Sequence, residues 1–119
     1  DVMKDMMFYF SERIATARSF GIVDIILDPG FGFSKTLDQN YEVLNKLELL
    51  NEFNLPVLSA LSRKSMIYKF LNTEPTEVLN GTTVLHTISL MKGAKLLRAH
   101  DVKEAVECVK LTQKIYENN

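Results

Sequence analysis

The sequence predicts an α/β fold with a parallel sheet, and three observations support this prediction. Short apolar, β-branched runs alternate with longer amphipathic stretches three times, and a helical pattern precedes the first run. Each run and the helix after it take roughly 35 residues, the size of a βα unit, and such units pair their strands in parallel. Three strands make too narrow a sheet for four helices, whereas a closed (β/α)8 barrel takes about 250 residues. We therefore predict a partial (β/α)8 barrel with about three parallel strands and their helices.

The first two predicted elements are a helix and a strand. The helix covers residues 2–17, and Gly21 ends it. Its inward positions recur at helical spacing and are Val2, Met3, Met6, Met7, Phe10, Ile14 and Ala17. Residues 22–27 are short, β-branched and apolar on both faces except at Asp24, which is typical of a strand buried in a parallel sheet. This strand ends at Asp28.

The second predicted unit begins with a glycine loop. Gly30 and Gly32 predict the loop, and Asp38 can cap the helix that follows. The apolar face of that helix comprises Tyr41, Leu44, Leu47, Leu50 and Phe53. Residues 57–61 are the second predicted strand, and Ser62 can cap a short helix directly after it.

The third predicted unit repeats this order. A longer helical pattern, interrupted at Gly81, comes before the third predicted strand at residues 94–98. The inward face of that pattern is predicted at Val84, Leu85, Ile88 and Met91. Asp101 can cap the last helix. The inward face of the last helix is predicted at Val102, Ala105, Val106, Val109 and Ile115.

Composition limits the class of protein. With 119 residues, 46% of them hydrophobic and 24% charged, the chain is long enough for one core, so residues 1–119 are predicted to be a single domain. The net charge of -1 lacks the basic surface that nucleic acids require. No apolar run approaches the roughly 18 to 20 residues of a spanning helix, so no membrane partner is expected. Cys108 is the single cysteine, which excludes an internal disulfide and fits a buried position in a protein of the reducing cytoplasm.

The beginning of the sequence suggests a piece of a longer protein. It opens on Asp1 rather than on Met and enters a helical pattern at once. We expect the chain to be a fragment.

Ionisable residues follow each predicted strand. Asp28 follows the first strand, residues 62–64 follow the second, and Arg98 and His100 follow the third. In a parallel α/β sheet the chemistry lies beyond the carboxyl ends of the strands, because only there do several loops converge. We therefore expect these side chains to form one site.

The residue types indicate the ligand. Alternate residues of a strand point to the same side, so Arg98 and His100 can together hold a phosphate. Asp28 can accept hydrogen bonds from the N–H groups of a ring, and Phe33 places an aromatic side chain on the glycine loop. The set favours an anionic substrate that also carries a flat ring.

Simpler interpretations exist for several of these residues. Asp28 before Pro29 can start a turn without binding anything. The SRKS segment (62–65) can be a capped, solvated first turn, although two cations at a helix N-terminus are unfavourable unless an anion is bound there. Asp101 is interpreted as a helix cap, and His86 as a packed histidine rather than a ligand.

Three motifs taken together resemble one family. They are DPGFGFSK (28–35), SRKS (62–65) and RAHDV (98–102), each at the end of its strand. The chain is similar to dihydropteroate synthases over essentially its whole length. This resemblance implies a (β/α)8 barrel of which the chain is the C-terminal portion, its last three βα units with the helix before them.

The resemblance also implies an activity and catalytic residues. The family joins p-aminobenzoate to (7,8-dihydropterin-6-yl)methyl diphosphate and releases pyrophosphate, with Mg2+ assisting the diphosphate. Asp28 matches the aspartate that hydrogen-bonds the pterin ring, and Lys64 matches a lysine that contacts the pterin. Arg98 and His100 match the pair that holds the leaving diphosphate. Lys64, Arg98 and His100 are therefore the predicted catalytic residues.

Further residues match the family's p-aminobenzoate side. Phe33 matches the loop aromatic near p-aminobenzoate, and Gly32 belongs to the same predicted substrate-binding loop. Arg63 and Ser65 flank that site by the same resemblance. The Mg2+ ligand is expected from the family's earlier strands, so no residue of this chain is predicted to bind metal.

The resemblance implies a homodimer through the last helices. An open three-stranded sheet also leaves two edges free, which favours self-association. Two alternatives stay open: a pterin-dependent methyltransferase with the same type of barrel, and a non-catalytic α/β module.

Overall fold

The structure, a computed structural model, describes residues 1–118, which form five α-helices and two short strands. The helices are α1 (Val2–Ser19), α2 (Leu37–Asn45), α3 (Ser65–Tyr68), α4 (Leu79–Met91) and α5 (Val102–Glu117). Short 3₁₀ helices lie at Leu47–Phe53 and Pro75–Glu77. Within the described residues, no helix has the length and apolar character needed to cross a membrane.

The strands pair in parallel. Strand β1 (Leu58–Ser59) lies beside β2 (Leu96–Leu97), with Leu58 opposite Leu96 and Ser59 opposite Leu97. A single parallel bridge joins Leu27 to Val57 on the other side of β1. The three predicted strand regions therefore lie side by side in chain order, and the predicted parallel α/β arrangement is confirmed.

The first predicted strand is shorter and more exposed than the sequence suggested. Of residues 22–27, Leu27 alone bridges β1, and it is 2% exposed. Ile22, Val23 and Ile26 are 51%, 75% and 55% exposed. The prediction of a strand buried on both faces is wrong within residues 1–118, because this segment pairs with a neighbour at one position only.

The core lies between α1, α2, the 3₁₀ helix Leu47–Phe53 and the sheet. From α1, the side chains of Met3, Met6, Phe10 and Ile14 are buried, as the helical spacing predicts. They meet a cluster that comprises Leu27, Phe31, Val43, Leu44, Leu47, Leu50, Val57, Leu61, Met66, Ile67, Val78 and Ala94. Truncating a fully buried leucine of this kind to alanine typically costs about 2–5 kcal/mol.

Helix α2 begins two residues earlier than its predicted cap implies. Thr36 is the N-cap and forms a capping box with Gln39, in which each side chain bonds the other residue's backbone N–H (3.1 and 2.9 Å). Asp38 lies in the first turn, so its prediction as the cap is wrong. The chain then tightens into the 3₁₀ helix, whose period of three places Leu47 and Leu50 on one buried side.

The buried face of α4 is polar. Thr82, His86 and Ser89 are buried, whereas Val84 and Met91 are 48% and 56% exposed. The predicted inward face is therefore wrong at these last two positions. Small hydroxyl residues let α4 approach the sheet closely while keeping their hydrogen bonds, and the Ser89 hydroxyl lies 2.9 Å from that of Ser59 in β1.

Helix α5 packs against α4 through small side chains. Ala105, Cys108 and Thr112 are buried, and the Cys108 thiol lies 3.8 Å from the Thr83 carbonyl oxygen. Three residues predicted to point inward are exposed instead: Val102 (67%), Val106 (43%) and Ile115 (61%). These three apolar residues of α5 are therefore exposed in residues 1–118, while Ala105, Cys108 and Thr112 make the helix contact.

Candidate functional site

The loops after β1 and β2 meet around a cavity of about 770 Å³. Its wall comprises Ala60, Ser62, Arg63, Lys64, Pro75, Thr76, Arg98 and His100. The structure thus brings the ionisable groups of two strand ends together. Arg98 and His100 share this wall, in agreement with the alternation expected beyond a strand.

The end of the first predicted strand lines a second cavity. Asp28 and Lys35 lie on the wall of this cavity, whose volume is about 650 Å³. A further cavity of about 400 Å³ is lined by Gly32, Phe33 and Ser65, with Arg63 and Lys64 on its shared wall. The cavity of Arg98 and the cavity of Phe33 therefore share Arg63 and Lys64, and Asp28 lies within electrostatic reach of Lys64.

Hydrogen bonds shape the glycine loop. One oxygen of the Asp28 carboxylate accepts a hydrogen bond from the Gly30 N–H (2.9 Å). Asp28 therefore does stabilise a turn, as the simpler interpretation predicts. The Gly32 N–H donates to the side-chain oxygen of Asn40 (2.7 Å), and the Asn40 amide donates to the Thr36 carbonyl (3.0 Å). Asn40 is 3% exposed and was missed by sequence reasoning. Its one signal was a polar residue next to the apolar face of a helix.

Phe33 has a strained and exposed position. Its φ is 43°, in the left-handed region that residues other than glycine rarely adopt, and the residue is 86% exposed. The Lys64 ammonium lies 5.2 Å from the ring centroid, within the range of a cation–π contact. The loop thus presents a flat aromatic surface beside a cation.

Lys64 is the link between the strand ends. Its ammonium donates to the Phe31 carbonyl oxygen (2.7 Å), which ties the turn after β1 to the glycine loop. Partial burial lowers its pKa, and the Asp28 carboxylate opposes this effect while Arg98 and Lys35 reinforce it. Lys64 therefore lies within electrostatic reach of charged groups from the other two strand ends.

The Arg63 guanidinium is hydrogen-bonded to Asp101 and Pro75. Its guanidinium donates two hydrogen bonds to the Asp101 carboxylate (2.9 and 3.1 Å) and one to the Pro75 carbonyl oxygen (2.7 Å). The hydrogen bond from Arg63 holds the pKa of Asp101 below its ordinary value. Asp101 occupies the N-cap position of α5, but its side chain makes no capping bond. The interpretation of Asp101 as a helix cap is wrong because Arg63 takes the carboxylate.

The backbone of Arg63 is strained in the same way as that of Phe33. Its φ is 55°, and its N–H donates to the Thr82 hydroxyl (3.1 Å), which is 2% exposed. Residues held in this region cost energy and persist where surrounding contacts over-determine them. The turn after β1 is therefore held by α4, by α5 and by the Pro75 segment.

Ser62 does not cap a helix. Helix α3 begins at Ser65, and Lys64 occupies its N-cap position. The Ser62 hydroxyl instead lies 2.8 Å from Nδ1 of His100 and accepts the His100 backbone N–H (3.2 Å). The predicted cap is wrong because the neighbouring strand end competes for the hydroxyl.

The arrangement combines a carboxylate, several cations and an exposed aromatic ring. Within residues 1–118, no group of three or more His, Cys, Asp or Glu side chains could hold a metal ion.

His86 lies outside this site. It is 2% exposed, burial lowers its pKa, and its Nε2 has no hydrogen-bond partner among the described residues. It is packed inside the protein, as the sequence predicts.

Comparison with known proteins assigns the class. The sequence profile of the pterin binding enzymes matches residues 1–100, and the chain belongs to this family. Among its relatives, the dihydropteroate synthase of Escherichia coli strain K12 is 44% identical over 115 residues. The match covers 95% of this chain and 41% of the relative, so the chain spans less than half the length of that protein.

Solved structures agree with the sequence relatives. A Yersinia pestis dihydropteroate synthase with a pterine-sulfa conjugate superposes with a TM-score of 0.97 at 38% identity, covering 100% of this chain and 48% of that one. The Vibrio fischeri 7,8-dihydropteroate synthase superposes with a TM-score of 0.93 at 44% identity, covering 100% of this chain and 45% of that one. The described fold is thus found within larger dihydropteroate synthase chains.

Proposed function

We propose that the chain is the C-terminal part of a dihydropteroate synthase, a transferase of folate biosynthesis. The reaction joins p-aminobenzoate to (7,8-dihydropterin-6-yl)methyl diphosphate and releases pyrophosphate. The observation that carries this proposal is the shared cavity wall of Lys64, Arg98 and His100, with Phe33 in an adjoining cavity and Asp28 within electrostatic reach of Lys64. The names of the relatives support it, and so does the pterine-sulfa ligand of the Yersinia pestis structure.

Arg98 and His100 would bind the leaving diphosphate. Breaking the bond at the pterin methylene places growing negative charge on the diphosphate, and cationic donors already in position stabilise that charge without reorganising. Both side chains line the largest of the adjoining cavities, next to Lys64. This placement supports the role that the resemblance implies.

Asp28 and Lys64 would hold the pterin. One oxygen of Asp28 accepts the Gly30 N–H, which orients the carboxylate for hydrogen bonds from the N–H groups of a ring. If the pterin becomes a delocalised cation as the diphosphate leaves, this carboxylate also stabilises it. Lys64 is held by the Phe31 carbonyl oxygen. Its ammonium lies within electrostatic reach of the Asp28 carboxylate and of Arg98, which is proposed to bind the diphosphate.

Phe33, Gly32 and Ser65 would form the p-aminobenzoate side. An aniline nitrogen is neutral at pH 7, so the amine needs positioning more than activation. The exposed Phe33 ring offers a flat surface for it, and Ser65 lines the same cavity. Arg63 flanks this cavity, while its guanidinium holds Asp101 and Pro75.

The rest of the site is proposed to come from the same polypeptide. The chain spans 41% of the Escherichia coli relative, and the exposed Ile22, Val23 and Ile26 offer an apolar surface for further strands of a (β/α)8 barrel. Residues 1–119 would then be one portion of that barrel rather than a separate domain. The chain on its own is expected to have negligible turnover.

Magnesium stays a prediction from the resemblance. The described residues offer no cluster of metal ligands, so the donors for Mg2+ would lie in the remaining part of the barrel. In this chain, Arg98 and His100 would neutralise the charge of the diphosphate.

The buried single thiol of Cys108 supports the proposed cytoplasmic location, since it takes no part in a disulfide.

A homodimer through α4 and α5 is also proposed. Helix α5 exposes Leu111 and Ile115, which are four residues apart and so lie on one side of the helix, where a second copy could cover them. Light scattering at tens of micromolar tests this proposal. A monomer at that concentration would contradict it.

The test of the function is p-aminobenzoate-dependent release of pyrophosphate. The polypeptide that contains this chain is assayed beside the 119-residue chain, with and without p-aminobenzoate. We expect turnover from the complete polypeptide only. Turnover that needs no p-aminobenzoate, or none at all, would contradict the proposal and favour the methyltransferase or the non-catalytic module.

A further inference from the structure

The hydrogen-bonded pairs beyond the two strands keep the register of the sheet. Leu58 lies opposite Leu96, a separation of 38 residues along the chain. The Ser62 hydroxyl bonds His100 at the same separation of 38 residues. The parallel pairing therefore continues through side chains after the strands end. This places a buried hydroxyl directly against an imidazole that lines the cavity.

The two contacts between Ser62 and His100 favour one arrangement of the protons. The Ser62 oxygen accepts the His100 backbone N–H (3.2 Å), which uses one of its lone pairs. A hydroxyl has a single proton, and Nδ1 of His100 lies 2.8 Å away. Donation of that proton to Nδ1 makes Nδ1 the acceptor, so the neutral imidazole carries its own proton on Nε2.

Burial of Ser62 stabilises its hydrogen bonds to His100. Ser62 is 4% exposed, so water competes little for its hydroxyl, whereas the His100 side chain is exposed on the cavity wall. The same hydroxyl bonds both the backbone and the ring of His100, which fixes the ring relative to the chain. A ring held in this way keeps one nitrogen for Ser62 and leaves the other for a ligand.

We propose that Ser62 is a positioning residue for His100. By bonding Nδ1, Ser62 holds His100 in the tautomer whose Nε2–H donates to an oxygen of the diphosphate. Ser62 acts through the imidazole of His100. The inference rests on the proposed function for the identity of the anion, but the tautomer and ring orientation are properties of this chain.

The first measurement is the tautomer of His100 itself. Nitrogen-15 NMR of the complete polypeptide, recorded at alkaline pH where imidazoles are neutral, distinguishes Nδ1–H from Nε2–H. We expect Nε2–H for His100 in the unmodified protein and a mixture of tautomers in Ser62→Ala. An Nδ1–H tautomer in the unmodified protein would overturn the proposal even if the variant does not fold.

The second measurement separates positioning from general stability. Ser59 is a matched control, because it is a buried serine of β1 whose hydroxyl bonds a side chain outside the cavity wall, that of Ser89 in α4. We expect Ser62→Ala to weaken pyrophosphate inhibition and raise KM for the diphosphate substrate at least fivefold, with KM for p-aminobenzoate within twofold. Ser59→Ala should leave both KM values within twofold, and Ser62→Thr, which keeps a hydroxyl, should recover most of the loss.

The outcomes distinguish this proposal from the proposed function. If Ser62→Ala and Ser59→Ala changed the KM values of both substrates equally, the positioning role would be overturned. Loss of a buried hydroxyl would then account for the whole change. If the protein released no pyrophosphate, the proposed function would fail, yet the NMR measurement would still decide whether Ser62 sets the tautomer of His100.

Discussion

Arg63 and Asp101 form a two-pronged ion pair, with Nε to Oδ2 at 2.9 Å and Nη2 to Oδ1 at 3.1 Å. The two residues are separated by 38 positions, the separation that joins β1 to β2. Planar two-pronged pairs of this kind fix geometry as well as charge. The pair therefore fastens the turn after β1 to the start of α5.

Asp101→Asn is expected to lower stability at neutral pH and to have less effect in acid. The pKa of Asp101 is lowered in the folded protein by the Arg63 hydrogen bond, so the unfolded chain takes up the proton at higher pH. The stability from the pair is thus fully present above the ordinary value of 3.8 and is lost as the pH falls through the lowered pKa. Urea midpoints at neutral and acid pH measure this difference.

Glu104→Gln is the control for that experiment. Glu104 raises the pKa of Arg63 through its charge but contributes no hydrogen bond to it. Its effect on the urea midpoint should be smaller than that of Asp101→Asn. A deficit in Asp101→Asn that stays the same from neutral pH to below pH 3.8 would contradict the assignment.

Lys64→Ala is expected to reduce turnover at least tenfold in the complete enzyme. The variant removes the ammonium that links the Phe31 carbonyl, the Phe33 ring and the charges of the neighbouring strand ends. Steady-state pyrophosphate release measures the effect. Lys69→Ala, at an exposed lysine just after α3, should leave turnover within twofold. Unchanged kinetics in Lys64→Ala would remove Lys64 from the mechanism.

Thr36→Ala is expected to destabilise the protein by about 1 kcal/mol, the usual value for a lost N-cap. The threonine hydroxyl accepts the Gln39 N–H, and Gln39 returns a bond to the Thr36 N–H. Urea unfolding gives the free energy. Asp38→Asn, which removes a first-turn charge without touching the cap, should cost less. An equal loss in the two variants would mean that the capping box contributes nothing of its own.

Gly81→Ala is expected to destabilise the protein by about 1 kcal/mol. Alanine at a helix interior normally gains about 1 kcal/mol over glycine, but a Cβ here would lie 2.7 Å from Cγ2 of Ile67 and overpacking costs about 1–3 kcal/mol. Gly81 lies inside α4, so it marks a close helix contact rather than an interruption. Thermal unfolding measures the change.

Asn80→Ala provides the comparison for Gly81→Ala. Asn80 is exposed at the preceding position of α4, so alanine there should stabilise slightly through helix propensity alone. If both variants raised the melting temperature equally, the close contact with Ile67 would be refuted.

Much of the site was predictable from the sequence because it depends on strand order. Asp28, Lys64 and His100 each follow a predicted strand, and parallel strands bring their carboxyl ends to one edge. What could not be predicted was the partner of each polar side chain. Ser and Asp are the usual residues at helix N-caps, so Ser62 and Asp101 were both interpreted as caps.

The buried faces of the helices were likewise predictable in one case and not in another. Met3, Met6 and Phe10 of α1 are buried as their spacing predicts, because α1 has one apolar side and packs it on the core. Helix α4 carries Val84, Leu85, Ile88 and Met91 on one side, so periodicity predicted that this side meets the core. The structure selects the side of His86 and Ser89, where the serine hydroxyl finds Ser59.

The sequence by itself determined the local features: the helix α1, the order of the strand regions, and the ionisable residues after each one. Only the tertiary structure decided that Ser62 bonds His100 and that Arg63 binds Asp101. The physical reason is the range of the interactions. Helix periodicity and capping act within about four residues along the chain, whereas the register of β1 on β2 brings together residues 38 positions apart.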